Sequence, residues 1–167
     1  MNSRERSLER APRMASVVAT VGGIGRSRFA PGTMGSLAAI LPAWALLVSY
    51  GALGPLALTA VVFVIGYWAS DIYVLAGRVD DPKEIVIDEV AGQSLTIAFL
   101  PATSHPLWIL AAFVAFRFFD ILKPWPVSLA ERRLADGLGV MADDIVAALY
   151  AGVVLLGAQW LFTIMTT

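Results

Sequence analysis

The chain has no cysteine, and His105 is its single histidine among 167 residues. Without cysteine it has no disulfide, no thiolate nucleophile and no sulfur ligand for a metal, and one histidine cannot form a cluster of imidazole ligands. Charge is also scarce, since charged residues make up 15% of the chain, against about 25% in soluble domains. A net charge of −1 gives no overall attraction to nucleic acid, so we expect no nucleic-acid partner.

Apolar residues dominate instead, at 58% of the chain, which is typical of a membrane protein. The 34 residues from Leu37 to Ser70 carry no charge. A hydrocarbon core of ~30 Å needs about 20 apolar residues, so this stretch is too long for one span and slightly short for two. The segment YGALGP at 50–55 divides it, which predicts two helices near 36–49 and 55–76.

Three further helical segments follow. Two are predicted near 85–100 and 107–122, joined by PATSHP at 101–106, and Ile145–Thr167 contains no charge. Together they predict an all-α fold, a compact multi-helix bundle integral to the membrane, with about five to six helices. Residues 15–167 are predicted to form this single helical domain. Residues 1–14, with four Arg and two Glu, are predicted to be a disordered Arg-rich tail.

The cations predict the orientation of the bundle. Seven of them, outside the N-terminal tail and the predicted helix with Arg117, fall in three segments that alternate with the uncharged links 50–55 and 101–106. In chain order these are Arg26 and Arg28, then Arg78 and Lys83, then Lys123, Arg132 and Arg133. Cytoplasmic loops carry an excess of Lys and Arg, so we expect these segments inside, the links outside and five crossings. The N-terminus is then inside and the C-terminus outside, and His105, in an outer link, is a loop residue without a ligand role.

The most unusual stretch is IVIDEVAG at 85–92, where Asp88 and Glu89 stand side by side among aliphatic residues. Adjacent carboxylates repel each other and resist leaving water, so a positive charge or a wet boundary is required. The predicted topology brings them to one membrane face with Asp120 and with the pair Asp143-Asp144. These groups offer only oxygen ligands, which suit Mg²⁺. We therefore predict a magnesium site formed by Asp88, Glu89, Asp143 and Asp144.

A simpler interpretation exists for one of the two acidic pairs. Asp143-Asp144 is predicted to begin the last helix, where an N-cap and a first-turn acid are favoured by the helix dipole. Asp88-Glu89 lacks that explanation if its helix begins near Glu84. Ionisable groups at this depth of a membrane protein are functional candidates by default.

Cationic side chains occur in RFFDILKPWP at 117–126. Arg117, Asp120 and Lys123 spread over roughly a third of a helical wheel. One interpretation is an intrahelical Arg–Asp pair followed by a lysine that extends to the membrane surface. The other is that Arg117 and Lys123 bind an anionic group beside the metal.

Glycine is frequent in GGIGRSRFAPGTMGS at 22–36. Ser36 is predicted to cap the first long helix, and backbone N–H groups at such a junction bind phosphate well. The alternative is a simple turn at the membrane entry, because neither a dinucleotide fingerprint nor a P-loop is present. The predicted phosphate-binding residues are Gly32, Thr33, Gly35, Ser36, Arg117 and Lys123.

Four motifs in the same order resemble the bacterial phosphatidylglycerophosphatase A family. They are PGTMGS (31–36), VIDEVAGQ (86–93), FRFFDILKPWP (116–126) and GVMADDIVAA (139–148), and the resemblance runs from about residue 16 to the end. The family removes the phosphate of phosphatidylglycerophosphate to give phosphatidylglycerol, with Mg²⁺ as cofactor, on an all-helical bundle.

The resemblance implies an enzyme with a lipid substrate. We expect a multi-pass protein of the bacterial inner membrane, in contact with membrane lipid, with its active site facing the cytoplasm. The candidate catalytic residues are Asp88, Glu89, Asp120 and Arg117. A small membrane transporter or channel subunit is the alternative, although transport calls for ionisable residues near mid-bilayer. A structural membrane subunit is a second alternative, and the oligomeric state stays open.

Overall fold

The computed structural model describes residues 13–77, 83–103, 105–125 and 136–166, and every regular element in these ranges is helical. The predicted all-α bundle is confirmed. Of the predicted tail, residues 1–12 lie outside the described residues, while Arg13 and Met14 begin the first helix. The helices are α1 (Arg13–Ala19), α2 (Pro31–Tyr50), α3 (Leu53–Gly77), α4 (Ile87–Ala98), α5 (Pro106–Leu122) and α6 (Asp136–Thr166), with a short 3-10 turn at Ile24–Arg26.

Two helices begin well before their predicted starts. Helix α2 begins at Pro31 rather than near residue 36, because proline is well tolerated in the first turn, where no intrahelical N–H bond is needed. Helix α6 begins at Asp136 rather than at the predicted start, Asp143. The charges at 143–144 suggested the polar start of a helix, but both side chains are buried inside the bundle. The hydropathy of a segment therefore did not mark the helix start.

Helix α4 lies at the centre of the bundle. It packs against α2, α3, α5 and α6, and ten of its twelve residues are buried. Gly92 allows the closest approach, because a Cβ at this position would overlap the Phe116 ring and lie 3.0 Å from the Asp144 carbonyl oxygen. The short helix is thus enclosed by its neighbours, and the residues on it are held from several sides.

Three helices in the described part of the chain are long and apolar enough to cross a membrane: Pro31–Tyr50, Leu53–Ala76 and Gly137–Thr166. Helix α4, with 12 residues, rises only ~18 Å, which is less than the ~30 Å hydrocarbon core. The five predicted crossings therefore reduce, by length and composition, to three candidates. The outward faces of these helices are apolar, as lipid contact requires, with Leu41, Val64 and Val153 among the exposed side chains.

Successive helices from α2 to α6 alternate in direction, which gives the bundle two distinct ends. The site end is where α2, α4 and α6 begin and where α3 and α5 finish, as shown by the Lys123–Asp143 pair between α5 and α6. The far end is the opposite one. There Gln159 of α6 donates a hydrogen bond to the carbonyl of Phe99 after α4 (3.3 Å), and the rings of Trp108 and Phe162 lie 6.1 Å apart.

Candidate active site

Three carboxylates meet at the site end. One oxygen from each of Asp88, Glu89 and Asp144 lies within 4.8 Å of the other two. The first two stand in the first turn of α4, and Asp144 is eight residues into α6. The close packing at Gly92 brings α4 and α6 together. The structure therefore assembles two of the sequence motifs into one acidic group.

The positions of these acids in their helices reverse the sequence-based interpretation. Helix α4 begins at Ile87, not near Glu84, so Asp88 and Glu89 are first-turn acids that the helix dipole favours. Asp143-Asp144 lies inside α6 and caps nothing, so the interpretation as an N-cap is wrong for that pair. Both buried acids of α6 need another partner to balance their charge.

Burial dominates the electrostatics of the α4 pair, which is outside the three candidate spans. It raises the pKa of Asp88 well above its ordinary value, and the neighbouring Glu89 and Asp144 charges add to that rise. Burial likewise raises the pKa of Glu89 to about 7, although Arg117 acts in the opposite direction. The metal-free site is overcrowded with negative charge, and a cation would relieve that repulsion.

Asp143 separates from the other predicted metal ligands. Its Oδ2 pairs with Lys123 Nζ at 2.8 Å, and its Oδ1 accepts a hydrogen bond from the Asp144 N–H at 3.0 Å. Lys123 caps α5 in the left-handed region, with φ of 43°, directly before Pro124. Helix α5 therefore ends where the sequence predicted, but the lysine pairs with Asp143 across the bundle instead of extending freely to the membrane surface.

Arg117 links three helices. Its Nη1 lies 2.5 Å from Asp120 Oδ2, one helical turn further along α5, and 3.8 Å from Glu89 Oε1 of α4. The same nitrogen donates to Ser36 Oγ of α2 at 3.5 Å. The predicted Arg–Asp pair is present, and the guanidinium also touches the acidic group. Both sequence-based interpretations of Arg117 are thus compatible with this geometry.

The glycine-rich motif PGTMGS lies within the first turns of α2 instead of before it. Ala30 is the N-cap, so Ser36 does not cap the helix, and its hydroxyl donates to the Gly32 carbonyl at 2.9 Å. A Cβ on Gly32 would overlap the Glu89 carboxylate. The N–H groups of Gly32 and Thr33 are first-turn donors without an intrahelical acceptor. Of the four predicted residues in this motif, these two offer amides to an anion.

Gly35 has a structural role that the sequence did not indicate. A Cβ there would lie 2.9 Å from both the Cβ and the carbonyl oxygen of Val86. The missing side chain lets α2 pack against the residues that precede α4, so Gly35 helps to place Asp88 and Glu89.

Sequence reasoning missed the buried polar residues around α4. Tyr73 donates a hydrogen bond to Glu84 Oε2 at 2.7 Å, and the Val86 N–H bonds to the Ala19 carbonyl at 3.0 Å, which holds the segment before α4. Glu84, a charged residue just before α4, is also buried. Gln93 is fully buried and neither of its amide atoms has a partner. The sequence feature that could have identified Gln93 was its position at the end of the motif VIDEVAGQ.

The acidic group fits a hard divalent cation. Within the part of the chain that the structure describes, Asp88 Oδ1, Glu89 Oε2 and Asp144 Oδ2 are each buried without a hydrogen-bond partner. Buried carboxylate oxygens in this state call for a cation or for protonation. The donor set consists of oxygen alone, as Mg²⁺ prefers. The residues present therefore suit the ion that the resemblance implies.

The fold and site define an all-helical protein with three candidate membrane spans and an acidic, cation-flanked centre at one end. A family model described as Phosphatidylglycerophosphatase A matches residues 17–159. Phosphatidylglycerophosphatase A of Haemophilus influenzae is 41% identical over 131 residues, covering 78% of this chain and 80% of that protein. Phosphatidylglycerophosphatase A of Escherichia coli K12 is 38% identical over 145 residues, covering 83% and 80%.

The chain belongs to the phosphatidylglycerophosphatase A family, and it is an enzyme of the lipid phosphatase class. The resemblance carried by the four motifs is confirmed, and the transporter and structural-subunit alternatives are set aside. A Bacteroides thetaiotaomicron protein, provisionally named as a phosphatidylinositol-3-phosphatase, is 35% identical over 155 residues. The match covers 86% of this chain and 92% of that protein. No solved structure matches the chain.

Proposed function

We propose that this protein hydrolyses the phosphomonoester of phosphatidylglycerophosphate, in a Mg²⁺-dependent reaction at the cytoplasmic face of the inner membrane. In this reaction the oxygen of water bonds to phosphorus, the ester P–O bond breaks, and phosphatidylglycerol leaves with a proton on its alcohol oxygen. The observation that carries the proposal is the grouping of Asp88, Glu89 and Asp144 beside Arg117 and Lys123.

The metal would be held by the three grouped carboxylates, with Asp143 outside them in its pair with Lys123. When bound, Mg²⁺ supplies positive charge to the phosphoryl oxygens and acidifies water. It would also balance the three carboxylate oxygens that have no partner. The role of Asp120 is to hold the Arg117 guanidinium in place through their contact on α5.

The phosphate would be bound by cationic side chains and by helix amides. Arg117 Nε is buried and has no partner, so it can donate to a phosphoryl oxygen. The amides of Gly32 and Thr33 point from the start of α2, where the helix dipole favours an anion. Gly32 adjoins both Glu89 and Arg117. Preorganised donors of this kind stabilise the charge that develops during phosphoryl transfer.

The orientation in the membrane follows from the positive-inside rule. Arg26 and Lys123 stand at the site end, while the segments at the far end, 50–55 and 101–103, carry no cation. Residues 78, 132 and 133, which the topology prediction also used, lie outside the described residues. A cytoplasmic site end places the phosphomonoester, the outermost part of the lipid head group, next to the acidic group.

Phosphate release from phosphatidylglycerophosphate by detergent-solubilised protein tests the proposal. We expect turnover with Mg²⁺ or Mn²⁺, none with EDTA, and recovery when the metal is restored. The Asp144→Asn variant, purified in parallel, controls for contaminating phosphatases. Full turnover in EDTA, in protein shown by elemental analysis to hold no metal, would falsify the metal dependence. Turnover of other phosphomonoesters but not of this lipid would reject the substrate.

Cysteine labelling tests the orientation, because the chain has no cysteine of its own. We expect Met165→Cys to react with a membrane-impermeant maleimide in intact cells and Arg28→Cys to react only after the cells are lysed. Both positions are exposed, so reagent access does not differ between them by burial. The reverse pattern would place the site end outside.

A further inference from the structure

Gln93 is a buried amide whose polar atoms are unused. Its side chain is fully buried in α4, and neither Oε1 nor Nε2 has a hydrogen-bond partner among the described residues. Thr96, on the same helix, shows how a buried polar side chain is usually satisfied, because its hydroxyl donates a hydrogen bond to the Gly92 carbonyl at 2.9 Å. Leaving an amide unpaired in a protein interior costs free energy, so such a group calls for an explanation.

The position of Gln93 connects it to the acidic group. It follows Glu89 by four residues, so the two share one face of α4, with Gln93 one helical turn deeper. The Cα–Cβ bond of a helical residue tilts toward the helix N-terminus, which directs the start of this side chain toward the Glu89 turn. Among the described residues, Glu89 Oε2 has no hydrogen-bond partner either.

A second unused polar group lies on the neighbouring helix α5. Arg117 directly follows Phe116, whose ring a Cβ on Gly92 would overlap, and Gly92 precedes Gln93 on α4. Arg117 Nη1 lies 3.8 Å from Glu89 Oε1, and among the described residues its Nε has no partner. We call Gln93 and Arg117 the inner tier, which adjoins Glu89 on the side facing the interior of the bundle.

The inner tier has a specific combination of unused donors and acceptors. Arg117 Nε requires an acceptor and favours an anionic one. An amide side chain presents both a donor and an acceptor, and on Gln93 both are unused. A ligand that satisfies them carries a phosphate oxygen and a neighbouring hydroxyl group. The terminal glycerol of phosphatidylglycerophosphate has this chemistry, since its free hydroxyl is next to the carbon that bears the phosphomonoester.

We infer that Gln93 binds that hydroxyl and makes the enzyme selective for a phosphorylated glycerol over a plain alkyl phosphate. The inference rests on the proposed function and adds a specificity-determining residue to it. The Gln93 carbonyl oxygen accepts the hydroxyl hydrogen, and its NH₂ group donates to an oxygen of the same ligand. The carboxylates and Arg117 remain responsible for the metal and the phosphate.

The test compares two substrates in two proteins. One substrate is phosphatidylglycerophosphate, and the other has propane-1,3-diol in place of the terminal glycerol, so that it lacks only the hydroxyl. In the wild-type protein we expect kcat/KM to favour the hydroxylated lipid by about tenfold or more, because a site built around a hydroxyl rejects the analogue without it. In Gln93→Met, which keeps the volume but loses both polar atoms, the ratio should fall to near one.

Thr96→Val is the matched control. It also replaces a buried polar side chain on the same face of α4, but its hydroxyl is already satisfied by the helix. We expect it to retain the wild-type substrate ratio. A Gln93→Met protein that retains the wild-type ratio would overturn the inference, as would a wild-type protein that does not distinguish the two lipids. A wild-type protein that cleaves neither lipid would reject the proposed function itself, and the inference with it.

Thermal unfolding in EDTA without substrate separates this role from a structural one. If Gln93 awaits a ligand, Gln93→Met should unfold at the wild-type temperature or above it, because an unpaired amide has been replaced by an apolar side chain. If Gln93 instead holds a permanently buried water, the variant should unfold at a lower temperature with an unchanged substrate ratio. That second result would also contradict the inference.

Discussion

At the site end the helices meet through charged side chains and glycines, whereas at the far end they meet through aromatic and aliphatic side chains. A Cβ on Gly32, at the site end, would overlap the Glu89 carboxylate, but a Cβ on Gly157, toward the far end of α6, would meet no atom within 4 Å. The far end also has an open apolar groove of about 430 Å³ on its surface, lined by Leu46, Tyr50, Val61 and their neighbours on α2 and α3. Close glycine contacts occur there as well, since a Cβ on Gly54 would overlap the Leu46 carbonyl, so the two ends differ mainly in charge and in open apolar surface.

The difference shows which part of the bundle is specified by atomic contacts. Apolar helix faces toward lipid need only be hydrophobic and of sufficient length, so packing at the far end can be loose. The site end must keep several charges at fixed separations, so its helices approach closely through Gly32, Gly35 and Gly92. We therefore expect substitutions at the two ends to have very different effects on catalysis.

The largest effect is expected from neutralising the grouped carboxylates. Asp88→Asn and Asp144→Asn each remove a charge at nearly constant volume, and we expect a loss in rate on the order of 10²-fold or more. The metal-free proteins should be as stable as the wild type or more stable, because the acidic group is overcrowded without a cation. Hydrolysis rates across a Mg²⁺ titration, together with thermal unfolding in EDTA, measure both effects.

Asp143→Asn sharpens this comparison. Asp143 pairs with Lys123 outside the acidic group, so we expect a smaller loss of about tenfold, as for groups that orient a metal site from outside. If Asp143→Asn lost as much activity and Mg²⁺ affinity as Asp144→Asn, the separation of Asp143 from the ligands would be wrong. Wild-type rates for Asp88→Asn or Asp144→Asn at limiting Mg²⁺ would mean that the catalytic centre lies elsewhere.

Glycine substitutions compare the two ends directly. Gly32→Ala places a methyl group against Glu89, and displacing a catalytic group by about 1 Å can cost as much as 10²-fold in rate. Gly157→Ala, in the interior of α6, should leave the rate unchanged and stabilise the protein by roughly 0.5–1 kcal/mol. Rate and unfolding temperature of both variants test this, and equal losses of activity would remove the distinction between the ends.

The smallest effect is expected at His105, at the far end. The sequence predicted a loop residue whose replacement is silent in every assay, but His105 is the N-cap of α5, and its Nδ1 accepts a hydrogen bond from the Leu107 N–H at 3.3 Å. His105→Ala should therefore cost roughly 0.5 kcal/mol of stability, at the lower limit for cap residues, with unchanged hydrolysis. A measurable loss of rate would implicate the far end in catalysis.

The helices and the acidic site were predictable where the sequence shows a long apolar stretch or charged residues among apolar ones. The long apolar stretches predicted α3 and α5 to within a few residues, and the acids among aliphatic residues predicted a site. The start of α6 was not predictable from hydropathy, because Asp143 and Asp144 are polar yet buried. The separation of Asp143 from its neighbour depends on Lys123, whose left-handed backbone brings it across to α6.

The buried polar residues Gln93 and Tyr73 were not predictable, for a different reason. Gln93 and Tyr73 have no charge pattern that marks them, and their importance comes from depth and from neighbours on other helices. Sequence spacing along one helix shows which residues share a face, but it does not show which groups stay unpaired after packing. The structure supplies that information through the atoms of Gln93, Glu89 and Arg117 that have no partner.

The short length of α4 has a consequence for how the protein is made. During synthesis, α4 emerges with Asp88 and Glu89 before α5 and α6 exist, and at 12 residues it is too short to cross the bilayer by itself. Helices α2 and α3 already cover part of it, but the remaining cover and the third carboxylate, Asp144, come from α6. A nascent chain therefore carries an incomplete acidic group on a partly covered helix until α6 is inserted.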